Sequence, residues 1–399
     1  MFKFIHTSDW HLGQNFYNYD RSEEQRDMLR QLADIARKHT PDALLVSGDI
    51  FHTAAPSNAA MNMYVEEMLN IRRACPTMDI IVIAGNHDSA SRLDCDRLLW
   101  EKAGVMVKGG IARDTSGHAA LDSHIVPVGD KGIVAAVPFA FPSNFPLVDG
   151  TDTGREERQR AYFQAVLDLA NANNHNGVPV VLMAHLAVSH SDFTGHDMSL
   201  MMDSVDITTL GEGYDYVALG HIHRPQQLTD RVRYCGTPLP VSFDEQCEHS
   251  VSIVEIDSHG DKPRIETKRI KNIKPLHTLP AGEAVPLDSA LELLQQFDPT
   301  EQAYLRLNVQ VETFLPHWAQ EQAMQAVQDK ACRLCEIKKT ATVVEHRQAR
   351  PLTVDELSKM QPINVADRYY RDKAKRPMNE QEREMFNYVY QLIQQEDQQ

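Results

Sequence analysis

Asp9 and His11, Gly48-Asp49, the GNHD run from Gly85 to Asp88, a lone His185 and the GHIH run from Gly220 to His223 occur along the chain in that order. Carboxylates, imidazoles and an amide at such positions are the groups that hold divalent cations. Each follows a short apolar run (KFI, ALLVS, IIVIA, VVLMA, YVALG) with the length and β-branched content of a buried strand. In an open α/β sheet, strand ends of this kind converge on one crevice. Asp9, His11, Asp49, Asn86, His185, His221 and His223 make seven donors. A structural zinc takes four ligands and a catalytic zinc three plus water, so seven donors suit two ions, with Asp49 as the natural shared carboxylate. No thiolate forces zinc, and the set is softer than calcium prefers, which leaves manganese, iron or zinc; two divalent ions are the implied cofactors. Two cations roughly 3.5 to 4 Å apart can clamp the attacking and leaving oxygens of an in-line phosphoryl displacement. The chemistry expected is phosphoester hydrolysis.

His87 follows Asn86 directly, so in extended chain its side chain points elsewhere. It is expected to act as general acid toward the leaving alkoxide, with Asp88 holding its other nitrogen. Taken singly each string is common: a Gly-Asp after a strand is usually a turn and a lone histidine is usually core. Their order and strand context carry the information. His118, His124, His190, His196 and His249 lie in polar or glycine-rich surroundings and are expected at the surface.

The elements that must position these groups alternate strand with helix, an α/β pattern. Ser22 and Gln25 form a possible capping box before Met28, Leu29, Leu32, Ile35 and Ala36 at helical spacing. A second helix is expected from Ser57 to Arg72, its Met61, Tyr64, Val65, Met68 and Leu69 stripe packing on the sheet. After Lys274 the pattern is PLHTLP, a helix from Leu287 to Phe297, AYLRLNVQVE, a helix from Trp318 to Leu334, then ATVVEH: a small α/β unit with no ligand-like cluster. From Pro351 the tail is charged and helix-prone, with TVDELSKM and a run from Asn379 to Gln395 that places Met385, Tyr388, Val389 and Leu392 on one face. Such a face docks on a partner or back on its own domain. Pro362 and the basic residues around 368 to 376 suggest a mobile connection between them.

A chain of 399 residues suggests two or three units. No apolar run approaches the roughly 20 residues of a membrane span, and a first strand at Lys3 leaves no room for a cleavable signal. Six scattered cysteines fit a reducing cytoplasm, the expected location. Cys332 and Cys335 form a lone CxxC and are expected as spare thiols on a helix end. The net charge of -16 at first sight opposes phosphate binding, but distribution matters more than the sum, and bound cations offset charge locally. Lys262 to Lys274 carries six Lys or Arg against one Glu, which reads as a DNA-backbone track or as a solvated edge strand. No GxxxxGK[ST] loop is present for ATP.

Three longer strings, HTSDWHLGQNFY from His6 to Tyr17, GDIFHTAAPS from Gly48 to Ser57 and RYCGTPLPVSFDE from Arg233 to Glu245, go beyond the donors. With them the chain resembles the calcineurin-type metallophosphoesterases and, more narrowly, the SbcD family of nuclease subunits of SbcCD complexes, over residues 1–272 and more loosely to the C-terminus. It departs from the superfamily's phosphatases, which carry an arginine shortly after the Gly-Asp; here Phe51 and His52 stand instead. The resemblance implies an α/β fold: a β-sandwich flanked by helices over residues 1–274, a small α/β capping domain over 275–348, and a helical partner-binding tail over 349–399. It implies one ion on Asp9, His11, Asp49 and His223 and the other on Asp49, Asn86, His185 and His221, with His87 as catalytic acid. His52 matches a histidine that in some relatives seats the DNA end; as a residue alone it reads equally as a histidine beside the site or on the surface. The implied activity is metal-dependent hydrolysis of DNA, as an exonuclease on duplex ends and an endonuclease on hairpins, in DNA repair, recombination and replication. The implied partners are DNA, an SbcC-type SMC-like ATPase and a second copy of this chain in a heterotetramer, with no membrane. A nucleotide or small-molecule phosphodiesterase, and a scaffold that binds DNA and an ATPase without cutting, are the alternatives. The complete donor set speaks against the scaffold.

Overall fold

The computed structural model describes residues 1–115, 117–148, 154–194, 204–311, 314–341, 362–374, 376–380, 382–383, 385–387 and 389–390. Every residue of the Ala43–Ser47, Val180–His185 and Tyr216–Gly220 strands is buried, the pattern of strands covered on both faces. These runs divide between two sheets rather than sharing one open sheet. The first has the order Arg264–Arg269, Ser250–Ile256, Phe2–Thr7, Ala43–Ser47, Asp79–Ile83, Val105–Lys108; the second, Gln226–Gln227, Val232–Tyr234, Tyr216–Gly220, Val180–His185, Gly132–Ala136, Ile125–Val128. Within each sheet the strands that end in donor strings are parallel. Phe2, Phe4, Leu45 and Ile81 of the first sheet interleave with Val134, Val181, Met183 and Tyr216 of the second in a dry layer. Helices Ser22–His39 and Asn58–Ala74 cover the outer face of the first sheet, and Arg155–Ala172 covers that of the second. The result is an α/β sandwich flanked by helices.

Local details correct several expectations. Arg21, not Ser22, caps the first helix and makes no side-chain cap bond; the Ser22 hydroxyl donates to Asp20 (2.6 Å), and Gln25 is buried and turned toward the His11 loop. The second helix is capped by Ser57, which accepts from the Ala60 N–H at 3.2 Å. Tyr64 and Met68 pack inward with Met63 and Ile71, whereas Met61 and Leu69 are half-buried and Val65 is exposed. His118 and His190 are exposed, His249 is half-buried and His196 lies outside the described residues. His124 is buried: its Nδ1 donates to the Ala136 carbonyl (2.9 Å) and its Nε2 accepts from the Ala112 N–H (3.1 Å). Both ring nitrogens are satisfied by backbone, which makes it a core residue.

Leu276–Leu279, Tyr304–Val311 and Arg333–Ala341 form a third, three-stranded sheet with helices Leu287–Gln296 and Ala319–Val327 packed on it. The second of these helices stops at Val327 because RLCEIKK alternates: Cys332 and Leu334 point inward while Arg333 is exposed. Cys332 and Cys335 therefore belong to a strand and its approach, not a helix end; both are free thiols. ATVVEH begins at Ala341, the last residue of the Arg333–Ala341 strand, and the rest of it lies outside the described residues. Lys262 to Lys274 spans the edge strand of the first sheet, and Lys262, Arg264, Lys268, Arg269 and Lys274 each pair with an acid.

Residues Met1–Thr340 form one compact unit and Ala341–Gln399 another. In the second, Pro362 opens a helix to Ala374 where a mobile connection was expected; proline suits a first helical position. Asn379 and Glu382 exchange side-chain to N–H bonds of 2.9 and 2.8 Å, a capping box at the expected start of the last helical run. Met385 and Val389 are exposed there; TVDELSKM, Tyr388 and Leu392 lie outside the described residues. No described helix is long and apolar enough to cross a membrane.

Candidate metal centre

The loops that leave Phe2–Thr7 and Ala43–Ser47 are laced to one another by backbone. The Asp9 N–H donates to the Gly48 carbonyl, His11 to Asp49 and Leu12 to Ile50, all at 2.9 to 3.0 Å. Four of the seven donors lie at positive φ: Asp9 (φ 54°), His11 (46°), Asp49 (52°) and His221 (98°). Side-chain-bearing residues there cost of order 1–3 kcal/mol each and persist where the surroundings over-determine them. Two glycines permit the close approach. A Cβ at Gly85 would collide with the backbone and carboxylate of Asp49, and one at Gly220 with the Ser47 carbonyl.

All seven donors are brought together. Donor atoms of Asp9, His11 and His223 lie within 4.8 Å of one another, as do those of Asp9, Asp49 and His185. His185 Nε2 and His221 Nδ1 approach the Asn86 Oδ1 at 2.9 and 2.8 Å. Asp49 Oδ2 sits 3.8 Å from His11 Nε2 and 3.5 Å from His185 Nε2, central between the two groups.

The proton inventory fits a cation at each. His185 Nδ1 faces the Ser47 carbonyl at 2.8 Å, so the proton sits there and the Nε2 lone pair meets the Asn86 carbonyl oxygen, acceptor against acceptor. His223 Nδ1 faces the Glu245 carboxylate at 2.7 Å, which turns its Nε2 lone pair toward His11 Nε2, 3.1 Å away. His11 Nδ1 is buried with no hydrogen-bond partner. A cation beside Asn86 resolves the His185 conflict, and one between His11 and His223 would take both Nε2 lone pairs in place of the N–H···N bond these rings otherwise share; the carboxylates call for such charge. Burial works to raise Asp49, but the imidazoles of His185, His11 and His87 outweigh it and hold the carboxyl well below the usual range. Burial likewise works to lower His185, yet Asp49 and Asp9 push it up to about 9, so the lone-pair conflict with Asn86 belongs to the neutral, cation-binding ring, and a proton on Nε2 is the alternative to the ion.

His87 is half-buried beside this cluster, its Nε2 4.0 Å from Asp49 Oδ2. Its Nδ1 donates to the His52 carbonyl at 2.8 Å, leaving Nε2 toward the centre. Asp88 does not orient it, contrary to the sequence expectation. The Asp88 carboxylate instead accepts backbone N–H bonds from Gly85 (2.8 Å), Phe51 (2.9 Å) and Ile50 (3.1 Å), clamping the GNHD turn to the loop after Asp49. Burial and the facing Asp49 raise it to about 6. The His52 ring stacks on His87 with centroids 5.8 Å apart, and Phe51 is buried against Tyr64.

Sequence reasoning missed the groups that hold the donors. Glu245 orients His223. Gln25 donates to the His11 carbonyl (3.2 Å) and accepts from the Gly13 N–H (3.0 Å). Thr237 donates to the Asp9 carbonyl at 2.8 Å. Glu245 and Thr237 lie in the RYCGTPLPVSFDE string, which was the available signal.

Residues 2–225 match the calcineurin-like phosphoesterase family, and residues 272–374 match a model described as a type 5 capsule protein repressor C-terminal domain, named for SbcD. The chain is 32% identical over 309 residues to the SbcD subunit of the SbcCD nuclease of Rhodobacter capsulatus, covering 74% of this chain and 75% of that protein. The SbcD subunit of Escherichia coli K12 is 28% identical over 78% of this chain and 79% of its own length. That of Bacillus subtilis is 29% identical over 69% and 71%.

Proposed function

We infer a metal-dependent nuclease: the chain belongs to the calcineurin-like phosphoesterase family and, within it, to the SbcD nuclease subunits. The observation that carries the reading is the convergence of imidazole nitrogens and carboxylates within 4.8 Å of one another in two groups, one with Asp9, His11 and His223 and one with Asp9, Asp49 and His185, around the buried Asp49 carboxylate. Asp9, His11, Asp49 and His223 would hold one divalent ion and Asp49, Asn86, His185 and His221 the other, manganese being the proposed metal. When bound, such ions lower the pKa of water and polarise a phosphodiester. His87, fixed by the His52 carbonyl, presents Nε2 to protonate the leaving sugar oxygen. Asp88 shapes the turn that carries Asn86 and His87, and His52, stacked on His87, would meet the substrate end.

The substrates proposed are duplex DNA ends and hairpins, and the partners an SbcC-type SMC-like ATPase and a second copy of this chain, in the cytoplasm. Residues 1–274 would be the nuclease, 275–348 a cap that helps choose the DNA, and 349–399 the ATPase-binding tail, whose exposed Met385 and Val389 suit a helical partner.

The test is cleavage of end-labelled duplex and hairpin DNA with manganese, with and without the partner ATPase, beside His87→Ala. Metal-dependent cutting that the variant loses supports the reading. Turnover of a small phosphodiester with no DNA cleavage under any condition would replace it with the small-molecule alternative.

A further inference from the structure

The two oxygens of Glu245 do different work. Oε1 holds the ring of His223 and Oε2 accepts the Val241 N–H at 3.1 Å, closing the carboxylate onto its own loop. That loop is gripped from the other side by the three-stranded sheet. Asp244 accepts from Arg306, a buried residue of the Tyr304–Val311 strand, at 2.7 Å, and pairs with Lys338 at 3.3 Å. Phe243 is buried between Phe16, centroids 5.2 Å apart, and the Arg306 guanidinium, 5.1 Å from its ring. Consecutive residues thus point in opposite senses, Asp244 to the small sheet and Glu245 to the metal centre.

The same sheet also reaches the opposing imidazole. Tyr304 donates to Glu24 at 2.7 Å, and Glu24 lies 3.6 Å from Arg21. The buried Arg21 donates to the Pro240 carbonyl (2.5 Å) and to Gln14 (3.2 Å). Gln14 in turn donates to the Val241 carbonyl from its side chain (3.2 Å) and to the His11 carbonyl from its backbone N–H (3.0 Å). His11 and His223, whose Nε2 atoms face at 3.1 Å, are therefore both tied to strand Tyr304–Val311. His185 donates to a strand carbonyl of the sandwich itself.

We propose that the 240–246 loop is a positioning element through which the three-stranded sheet sets the His11–His223 pair, with Glu245 and Arg306 as its positioning residues, so that the C-terminal sheet controls the affinity of one metal position and not the other. A change at Arg306, which touches no donor, then reaches one ion through Asp244, the loop backbone and Glu245. The inference rests on the two-metal reading above.

The experiment is titration of the metal-free full chain with Mn²⁺, followed by calorimetry and by electron paramagnetic resonance, with melting temperature as the fold control. Glu245→Gln should weaken one of the two ions about tenfold to a hundredfold, the usual cost of losing an outer partner of a ligand. Arg306→Gln should weaken the same ion by about threefold to tenfold, below that range because it acts at one remove. The double variant should bind no worse than Glu245→Gln, since both changes cut one path. If Arg306→Gln does not fold, Asp244→Asn carries the test, because its half-exposed side chain leaves no buried hole. Arg231→Gln, at a comparable ion pair with buried Asp215 in the second sheet, should leave both affinities unchanged. Wild-type affinity at both positions in folded Arg306→Gln or Asp244→Asn overturns the proposal, as do fully additive losses in the double variant. A wild-type chain that binds no Mn²⁺ would instead fail the two-metal reading itself.

Discussion

His185 and His223 bring the same imidazole to the same centre but are held by different kinds of group. His185 is fully buried at the end of a central strand and donates to the backbone carbonyl of Ser47 in the facing sheet, whose own hydroxyl donates to the Ala218 carbonyl (3.0 Å). Every atom in that chain of contacts belongs to the sandwich core. His223 is held by a side chain, Glu245, on a loop whose neighbours are gripped by a separate sheet. A backbone carbonyl within a sheet moves only if the sheet does; a carboxylate on a loop moves with whatever the loop touches. One half of the centre is therefore fixed by the fold, and the other can be adjusted from outside it.

Asp49 is common to both halves, so its loss should erase the contrast. Asp49→Asn removes the charge that lies 3.8 Å from His11 and 3.5 Å from His185. It should weaken both ions by at least about a hundredfold, beyond what outer partners cost, and abolish cleavage. Full occupancy of two ions in Mn²⁺ titration would show that the carboxylate is not shared. His87→Ala should act outside both halves. Cleavage should fall about a hundredfold to ten-thousandfold, the range for a lost general acid, while both Mn²⁺ affinities stay within about twofold of wild type. Equal loss of activity and metal binding would move His87 into the donor set.

Gly220→Ala sharpens the comparison from the rigid side. The added Cβ would meet the Ser47 carbonyl and crowd the His185 ring, and such overpacking typically costs about 1–3 kcal/mol. Urea unfolding should show that loss, and Mn²⁺ titration should show the ion opposite to the one affected by Glu245→Gln weakened. The same ion weakening in both variants would mean that the two halves are not separately held.

The difference between the halves also explains what could be read from the chain. The donors announce themselves because each ends a β-branched run, and a strand-end position is a local property of the sequence. The groups that hold them are not local. Ser47 acts on His185 across 138 residues, and Gln25 resembles a capping residue because only the folded chain places the His11 carbonyl over it. Glu245 lies 22 residues beyond His223, in a string that resemblance marks but residue chemistry leaves without a role. Adjacency assigns Asp88 to His87, whereas three N–H donors from two loops converge on it. Division into two sheets is illegible in the apolar runs themselves, since a strand buried on both faces reads alike in either. Cys332 and Cys335 are hard to place for a similar reason: helical and strand periods overlap in the short stretch after Val327, and pairing with Tyr304–Val311 decides between them.

The smallest effect expected concerns the platform beneath the rigid half. His6, on the strand that leads to Asp9, is fully buried with Nδ1 3.0 Å from the Tyr216 hydroxyl and Nε2 without a hydrogen-bond partner. Burial first, then the charge of Arg233, lowers its pKa to about 3 from an ordinary 6.5. Well above pH 6.5 the ring is neutral in folded and unfolded chains alike and stability does not depend on it. Below 6.5 the unfolded chain takes up a proton that the folded chain refuses, so stability falls as pH drops toward 3, at up to about 1.4 kcal/mol per pH unit. His6→Gln keeps a polar partner for Tyr216 without a titrating ring. Between pH 7 and pH 5 the wild type should lose about 2 kcal/mol more than this variant in urea unfolding, with no difference in slope between pH 7 and pH 8. Parallel curves down to pH 5 would mean that the buried ring accepts its proton in place. The sandwich would then yield where this strand meets Tyr216–Gly220, a strand that takes part in holding the His185 half, and the contrast with the His223 half would hold only near neutral pH.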